Sequence, residues 1–207
     1  MHNGMNIHSV IKGSPVKNTD KYDEIVRASL ELIAEKGFHG VPMSMIAKKA
    51  GVGAGTIYRY FDNKDALITE LHHDLEEKIS SYLRQGYNIE QPLKDRFLYL
   101  IRKLLRYFIT NPLHFRYMEQ YFNSPYGISL HRDRVLGEPG SHDILMDIFV
   151  EGVEQQILKE FPKAALFSLA FGPLISLMRD HILGFVNLDE NLIRQTTEAC
   201  WDGIKRY

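Results

Sequence analysis

Glycines at positions 51, 53 and 55 are the first residues of this sequence whose spacing suggests chemistry. Glycine-rich turns can cradle nucleotide phosphates, and a dinucleotide-binding turn needs G-x-G-x-x-G between a strand and a helix. Here Thr56 stands where the third glycine belongs, and nothing strand-like precedes Gly51. A Walker-type loop fails too, because no Gly-Lys-Ser/Thr follows. The phosphate-loop interpretation is therefore disfavoured.

The same spacing fits a helix-turn-helix, in which glycine lets the chain reverse between two short helices. The stretch MSMIAKKAGV supplies a small apolar helical face and ends at Gly51, a position suited to left-handed backbone. A second helix then begins at Gly53 or Ala54, with Ile57 and Phe61 facing inward. The remaining side chains of this second helix are left on its outer side.

That outer side carries groups that suit DNA. Small residues at the helix start permit close approach to a major groove, while hydroxyls and an arginine can contact phosphates or bases. A serine in the preceding helix and a lysine at the start of the next one add to the same surface. The predicted DNA-binding residues are Ser44, Ala54, Gly55, Thr56, Tyr58, Arg59, Tyr60 and Lys64.

Apolar residues recur at helical spacing along nearly the whole chain, without strict alternation, so the predicted fold class is all-α. Helix breakers divide the chain into about nine helices. Their approximate ranges are 20–36, 42–50, 54–60, 63–86, 92–111, 112–122, 141–160, 162–185 and 189–206. Ser141 is expected to cap the seventh of these helices. Residues 123–140 contain two prolines and three glycines and are predicted to form the longest loop.

The amino-acid composition excludes several classes of protein. With 207 residues the chain can bury a core without disulfides, and its single cysteine, Cys200, excludes a disulfide framework or a thiolate zinc site. No uninterrupted apolar run reaches the length of a membrane span, so we expect a soluble, cytoplasmic protein with no membrane partner. The net charge of −1 argues against a histone-like binder, although residues 40–64 carry four basic side chains against one acidic.

The stretch IVRASLELIAEKGFHGVPMSMIAKKAGVGAGTIYRYFDNKDALITEL carries three spaced motifs: A-E-K-G-F, I-A-x-x-A-G-V and G-T-I-Y-x-Y-F-x-x-K-x-x-L. It resembles the N-terminal domain of the TetR/AcrR family of bacterial transcription regulators over residues 19–79, with the helix-turn-helix at 42–61. The resemblance implies a DNA-binding domain at 19–79, after a flexible tail at 1–18, and a helical ligand-binding and dimerisation domain at 80–207. It also implies a homodimeric regulator, most commonly a repressor, that binds a palindromic operator and responds to a small-molecule effector.

This sequence departs from the family pattern at two places. Val41 and Pro42 stand where the family usually has serine or threonine, and Gly53 replaces another hydroxyl residue. Those hydroxyls cap helices and contact phosphates, and each cap is worth about 1 kcal/mol against a poor residue. Ser44, one turn further on, is a candidate substitute.

An aromatic run at residues 107–122 is rich enough in Phe, Tyr and Met to line an apolar pocket with a few polar groups. For any single residue an ordinary core is the simpler interpretation. Because the resemblance implies an effector pocket in the C-terminal domain, we place it here and expect an apolar or aromatic ligand. The predicted ligand-binding residues are His114, Tyr117, Met118, Tyr121, Phe122, Met146, Phe149 and Phe171.

Residues 164–178 are apolar almost all round, as in a helix covered both by its own domain and by another chain. The resemblance implies a two-fold dimer through a four-helix bundle of the last two helices of each subunit. The alternative is the buried central helix of a monomer. The predicted interface residues are Leu166, Phe167, Ala170, Leu174, Leu177, Met178, Leu192, Thr196 and Ala199.

The sequence gives little support for a metal site or a catalytic site. His72 and Glu76 are spaced to share an ion, and the pairs at 131/133 and 142/143 are conceivable further ligands, but HExxH and thiolate partners are missing. G-x-S-x-G and a cysteine–histidine pairing are missing as well. We predict no metal, no cofactor, no catalytic residue and no enzymatic activity. The alternative is a helical enzyme or small-molecule carrier whose glycine turn is only structural.

Overall fold

The computed structural model describes residues 19–136 and 144–207. Within these two ranges the chain is helical and contains no β-strand, which confirms the all-α prediction. The ten helices are α1 (Thr19–Lys36), α2 (Met43–Lys49), α3 (Ala54–Tyr60), α4 (Lys64–Arg84), α5 (Leu93–Thr110), α6 (Pro112–Phe122), α7 (Pro125–Leu136), α8 (Ile144–Glu154), α9 (Lys163–Ile182) and α10 (Glu190–Ile204).

The helices α1 to α3 and the first half of α4 form an N-terminal head around fully buried isoleucines. Ile25, Ile46 and Ile57 each have no exposed surface, so one side chain from each of α1, α2 and α3 meets in the same core. Gly51 joins α2 to α3 with φ of 66°, the left-handed backbone expected there. The amide of Val52 then donates to the carbonyl of Ala47 at 3.0 Å, which folds the turn back onto α2.

The second half of α4 and the helices α5 to α10 form the larger body. Here α10 packs against both α9 and α5, and the ring of Trp201 lies 5.4 Å from that of Phe97. The buried guanidinium of Arg96 donates to both carboxylate oxygens of Glu151, at 2.8 and 2.6 Å, and so joins α5 to α8. This bidentate pair holds the pKa of Glu151 below its usual value.

The prediction of a loop at 123–140 is wrong, because α7 occupies most of this segment. Pro125 suits the first turn of a helix, where its missing N–H has no partner to lose. A Cβ at Gly127 would lie 2.2 Å from the carbonyl oxygen of Tyr121. This glycine therefore serves close packing of α7 on α6 rather than a flexible loop.

The helix predicted at about 141–160 is shorter in the structure. It ends as α8 at Glu154, and Gln156 has a φ of 58°, which stops helical backbone. Leu158 then forms an isolated bridge with Lys205. The predicted cap Ser141 lies outside the described residues, and none of the helices in the described ranges is long and apolar enough to cross a membrane.

Two glycines in the head allow a matched test of this geometry. Gly51→Ala is expected to lower the free energy of unfolding by about 1 kcal/mol, because an L side chain disfavours left-handed backbone. Gly55→Ala is expected to raise it by about 0.5–1 kcal/mol, because Gly55 is helical and an added Cβ meets nothing within 4 Å. Urea unfolding followed by circular dichroism measures both; equal shifts in the same direction would contradict the assigned backbone.

Candidate nucleic-acid interface

The helix α3 is fixed to the head by its inner side chains. Ile57 is fully buried and Phe61 is 4% exposed. The ring of Phe61 stacks on Tyr22 of α1 at 5.7 Å, and the Tyr22 hydroxyl donates to Asp74 of α4 at 3.0 Å. Burial and the neighbouring carboxylates of Asp74 and Glu70 raise the pKa of Tyr22, so its hydroxyl stays a donor at neutral pH. Contacts from α1 and α4 thus set the rotation of α3 about its axis.

This rotation turns the predicted outer residues to the surface. Ala54, Gly55, Tyr58 and Arg59 are exposed, with Tyr58 at 53%. Ile57 therefore faces inward, and Tyr58 and Arg59 face outward, as the sequence predicts. An added Cβ at Gly55 meets nothing within 4 Å, so the fold itself does not require glycine there. The bare backbone leaves room for a large partner to approach α3 closely.

The other predicted DNA-contact residues of α3 and α4 are less accessible to a partner. Thr56 and Tyr60 are half-buried, and the ring of Tyr60 lies 6.4 Å from that of Tyr22. Lys64 is half-buried and its ammonium donates to the carbonyl of Phe38. This bond ties the start of α4 to the segment that follows α1, so only the remaining two N–H groups of Lys64 can serve another partner.

Two exposed side chains near α3 carry a positive charge that no acidic side chain of the described residues compensates. Lys49 pairs with Glu31 at 2.8 Å, which raises the pKa of Lys49. Lys48 and Arg59 are exposed, and no described residue pairs with either of them. Ser44 is exposed on α2, one helical turn before Lys48. An exposed face with two uncompensated cations, hydroxyls and a bare backbone is suited to the DNA backbone and the major groove.

Three aromatic side chains of the body dock on the head. The rings of Tyr117, Tyr121 and Tyr126 lie 5.8, 6.2 and 5.6 Å from Phe38, which follows α1. We call these four residues the aromatic junction. Its rings fix the position of α6 and α7 relative to the head.

Hydrogen bonds from the aromatic junction reach α4. The buried hydroxyl of Tyr117 donates to the carbonyl of Ile68 at 3.3 Å, and Tyr126 donates to the carboxylate of Asp65. The bond to Asp65 raises the pKa of Tyr126 to about 12, so this hydroxyl remains a donor at neutral pH. Tyr117 and Tyr121 were predicted to line an effector pocket; the structure places them at the contact between body and head.

His72 of α4 lies against the same junction. Its ring stacks on Tyr121 with centroids 3.6 Å apart and planes 3° apart, and Phe122 meets it edge-on at 6.4 Å. The side chain is nearly fully buried. Nε2 lies 3.3 Å from a carboxylate oxygen of Glu76, yet neither ring nitrogen makes a hydrogen bond within the described part of the chain. The imidazole is therefore held mainly by stacking.

The five remaining predicted effector residues lie on α6, α8 and α9. His114 meets the hydroxyl of Tyr107 at 2.8 Å through Nδ1, and burial lowers the pKa of His114. Phe149 and Phe171 pack edge-on at 6.1 Å in the core between α8 and α9. Met118 and Met146 are half-buried at the edge of the core.

A cavity of about 300 Å³ lies elsewhere, between the α5–α6 corner and the end of α9. None of the eight predicted ligand-binding residues lines it. The six residues that do are Ile109, Pro112, Leu113, Arg116, His181 and Ile182.

The predicted interface residues lie on α9 and α10, and they divide into a buried set and a more accessible set. Leu166, Ala170, Leu174 and Met178 are at most 3% exposed and belong to the core of their own subunit. The structure thus makes these four unavailable to a partner. Phe167, Leu177, Leu192 and Thr196 are half-buried and Ala199 is exposed. The helix continues through Pro173, and its outer side instead presents apolar side chains that the sequence did not single out, led by Leu169 at 42% exposure.

Of the residue pairs that were considered as metal ligands, His72 and Glu76 lie within the described residues. Within the described residues, no group of three or more His, Cys, Asp or Glu side chains is placed to hold a metal ion. His142 and Asp143 lie outside the described part of the chain. Cys200 is buried, and burial raises the pKa of its thiol to about 11.

The stacked imidazole gives a prediction about the junction. Because His72→Phe keeps the stack and removes two buried nitrogens without hydrogen bonds, we expect it to raise the free energy of unfolding by about 1 kcal/mol at pH 8. His73→Phe is the matched control: the His73 side chain is 65% exposed, so we expect a change within about 0.5 kcal/mol. Urea unfolding measures both, and a loss of stability in His72→Phe would show that the imidazole nitrogens are satisfied.

Comparison with known proteins agrees with this geometry. Residues 25–71 match the family model described as bacterial regulatory proteins, tetR family, and residues 92–205 match the model described as tetracyclin repressor-like, C-terminal domain. An uncharacterized HTH-type transcriptional regulator of Haemophilus influenzae is 24% identical over 189 residues, which cover 91% of this chain and 97% of that one.

Solved structures share the fold. A TetR family transcription regulator from Marinobacter aquaeolei VT8 superposes with a TM-score of 0.77 and 20% identity, covering 91% of this chain and 97% of that one. The transcriptional regulator FadR from Bacillus subtilis, solved in complex with stearoyl-CoA, superposes with a TM-score of 0.64 and 20% identity, covering 87% and 96%. With a head that exposes α3 and family matches across head and body, this chain belongs to the TetR family of transcription regulators, a non-enzymatic class.

Proposed function

We propose that this protein is a ligand-responsive repressor that binds a palindromic operator as a homodimer and is released by a small apolar or aromatic effector. The observation that carries the proposal is the outer face of α3. Gly55, Tyr58 and Arg59 are exposed there although the inner side of the same helix is fully buried. Bare backbone with a flanking phenol and guanidinium suits a helix that enters a major groove.

One such helix reads too little DNA alone. Because α3 has seven residues, it is about 10 Å long and covers only a few base pairs. Two copies about 34–36 Å apart would read half-sites one helical turn apart, and a two-fold dimer matches a palindromic operator. The proposal therefore requires a second subunit.

The outer side of α9 is the surface we assign to that second subunit. Among the described residues, ten large apolar side chains are exposed, and five of them lie on α9 or directly beside it. These five are Phe161, Leu169, Ile175, Leu183 and Phe185. Small residues, Gly172 and Ser176, lie between them and permit close helix approach. A concentrated apolar surface of this kind is typical of a protein interface.

The aromatic junction supplies a route from effector to head. The helix α6 has its start in the body and its Tyr117 and Tyr121 at the head, and α4 runs from the head into the body. An effector that binds one arrangement of α6 better than another would shift the spacing of the two α3 helices. The free energy by which the effector can shift this equilibrium equals the difference between its binding free energies for the two arrangements. The Bacillus subtilis FadR, which shares the fold, was solved in complex with stearoyl-CoA, and this supports a small-molecule effector for the present protein.

Binding to DNA tests the proposal directly. The full-length protein should retard DNA from upstream of its own gene, with an affinity that falls steeply as salt rises. Gly55→Leu should weaken this binding about tenfold or more, because a bulky side chain on the groove-facing surface prevents close approach. Gel shift or fluorescence anisotropy measures the change.

The matched control is Gly203→Leu, which also adds a side chain at a helical glycine where a Cβ meets nothing within 4 Å, but lies in α10. It should bind DNA like the wild type. Equal binding by Gly55→Leu and the wild type would remove α3 from the DNA interface. Absence of DNA binding in a folded dimer would favour the alternative, a helical small-molecule-binding protein with no DNA role.

The dimer has its own test. Ile175→Glu places a charge on the outer side of α9 and should shift the protein to a monomer, because burying an unpaired carboxylate is unfavourable. Ile128→Glu, at a 64% exposed position on α7 rather than α9, should leave the mass unchanged. Light scattering after size exclusion measures both. A wild-type monomer, or a dimer that survives Ile175→Glu, would contradict the assigned interface.

A further inference from the structure

We propose that the cavity between α6 and the end of α9 binds the carboxylate of a compact apolar acid, and that such an acid is the effector. This inference rests on the proposed function, since it names the chemical class and the site of the effector. The cavity is the one lined by Ile109, Pro112, Leu113, Arg116, His181 and Ile182. We call it the α6–α9 cavity.

The walls of the α6–α9 cavity set the size and polarity of the ligand. Four of its six lining residues are apolar, and the other two, Arg116 and His181, carry N–H donors. A volume of about 300 Å³ is at the lower end of ligand sites, which span about 300–1,000 Å³. A compact apolar body with one polar end fits this lining. None of the six residues is acidic, so a cationic ligand would have no counter-ion there.

Arg116 is the residue that selects an anion. Its side chain is half-buried on α6, and no described residue forms an ion pair or hydrogen bond with its guanidinium. Glu119, one turn further along α6, is already engaged by Arg179 of α9, with Nε at 3.0 Å from the carboxylate. Arg116 thus lines a mainly apolar cavity and has no partner in the described part of the chain. A bound carboxylate would supply the two acceptors that a guanidinium fork matches.

His181 offers a second donor, from α9. Its Nδ1 lies 3.2 Å from both the amide of Leu188 and the carbonyl of Val186. When Nδ1 accepts from the Leu188 amide, the proton of the neutral ring is on Nε2. Backbone contacts therefore occupy one ring nitrogen and leave Nε2–H for a ligand oxygen. Two donors from different helices suit a monoanionic carboxylate.

The position of Arg116 connects the cavity to the head. The next residue along α6, Tyr117, donates to the carbonyl of Ile68 in α4, and Tyr121 stacks on His72 of α4. Since α6 is a single short helix of 11 residues, a shift of Arg116 toward a ligand moves the aromatic junction as well. The acid would thus act on the contact that orients the head.

Calorimetric titration of the full-length protein tests this inference, with octanoate and benzoate as carboxylate probes and octanamide as the neutral isostere of octanoate. We expect saturable binding of at least one carboxylate. If octanoate binds, octanamide should bind at least about 30-fold more weakly than octanoate, because a half-buried charge pair is lost. Arg116→Gln should weaken carboxylate binding by a similar factor. Arg206→Gln removes the same charge at an exposed position outside the cavity and should bind like the wild type.

Three results would overturn the inference: no saturable binding of either carboxylate, equal binding of octanoate and octanamide, or carboxylate binding that Arg116→Gln leaves unchanged. Circular dichroism confirms that each variant is folded. DNA binding by the ligand-free protein is measured separately. If the protein binds DNA but not carboxylates, the proposed DNA-binding function is supported and the proposal of an acid effector is wrong. If carboxylates bind and DNA does not, the proposed function fails instead.

Discussion

The burial of Ile57 and Phe61 against α1 and α4 is the contact on which the rest of the molecule depends. A seven-residue helix has little stability of its own, so tertiary packing must hold it. Because two inner side chains and the left-handed turn at Gly51 fix its rotation, the outer side of α3 is set without any contribution from exposed residues. The exposed residues are thereby free to serve a partner, and a bare backbone at Gly55 is compatible with a stable head.

Local patterns in the sequence were enough to predict the head. Helical periodicity placed Ile57 and Phe61 inside, and the glycine spacing placed the turn. Features that depend on tertiary contacts could not be predicted from such patterns. Gly127 looked like a loop residue, but it serves close packing on Tyr121. The tyrosines of α6 suggested a pocket, yet their apolar rings are equally suited to docking on Phe38. A helix that is apolar all round, such as α9, does not show which side faces outward.

The most informative residue that the sequence interpretation overlooked is Arg116. It lies within the aromatic run, where an arginine is ordinarily assigned to the solvent side of a helix. Only the structure shows that Glu119 is already paired with Arg179 from α9 and that Arg116 lines a cavity without a partner among the described residues. The head and the body therefore share α6, which has a polar group in the α6–α9 cavity and aromatic rings at the junction. Regulation by a small molecule needs such a shared element, with two arrangements of different ligand affinity.

The distance between the two copies of α3 in a DNA-bound dimer tests the central claim most directly. Spin labels attached at position 62, an exposed site next to α3, would report it by pulsed electron spin resonance on the full-length protein. The account predicts one defined separation, with the α3 helices about 34–36 Å apart from centre to centre. A DNA complex without dipolar coupling, or one whose α3 helices cannot be placed one turn of DNA apart, would contradict it.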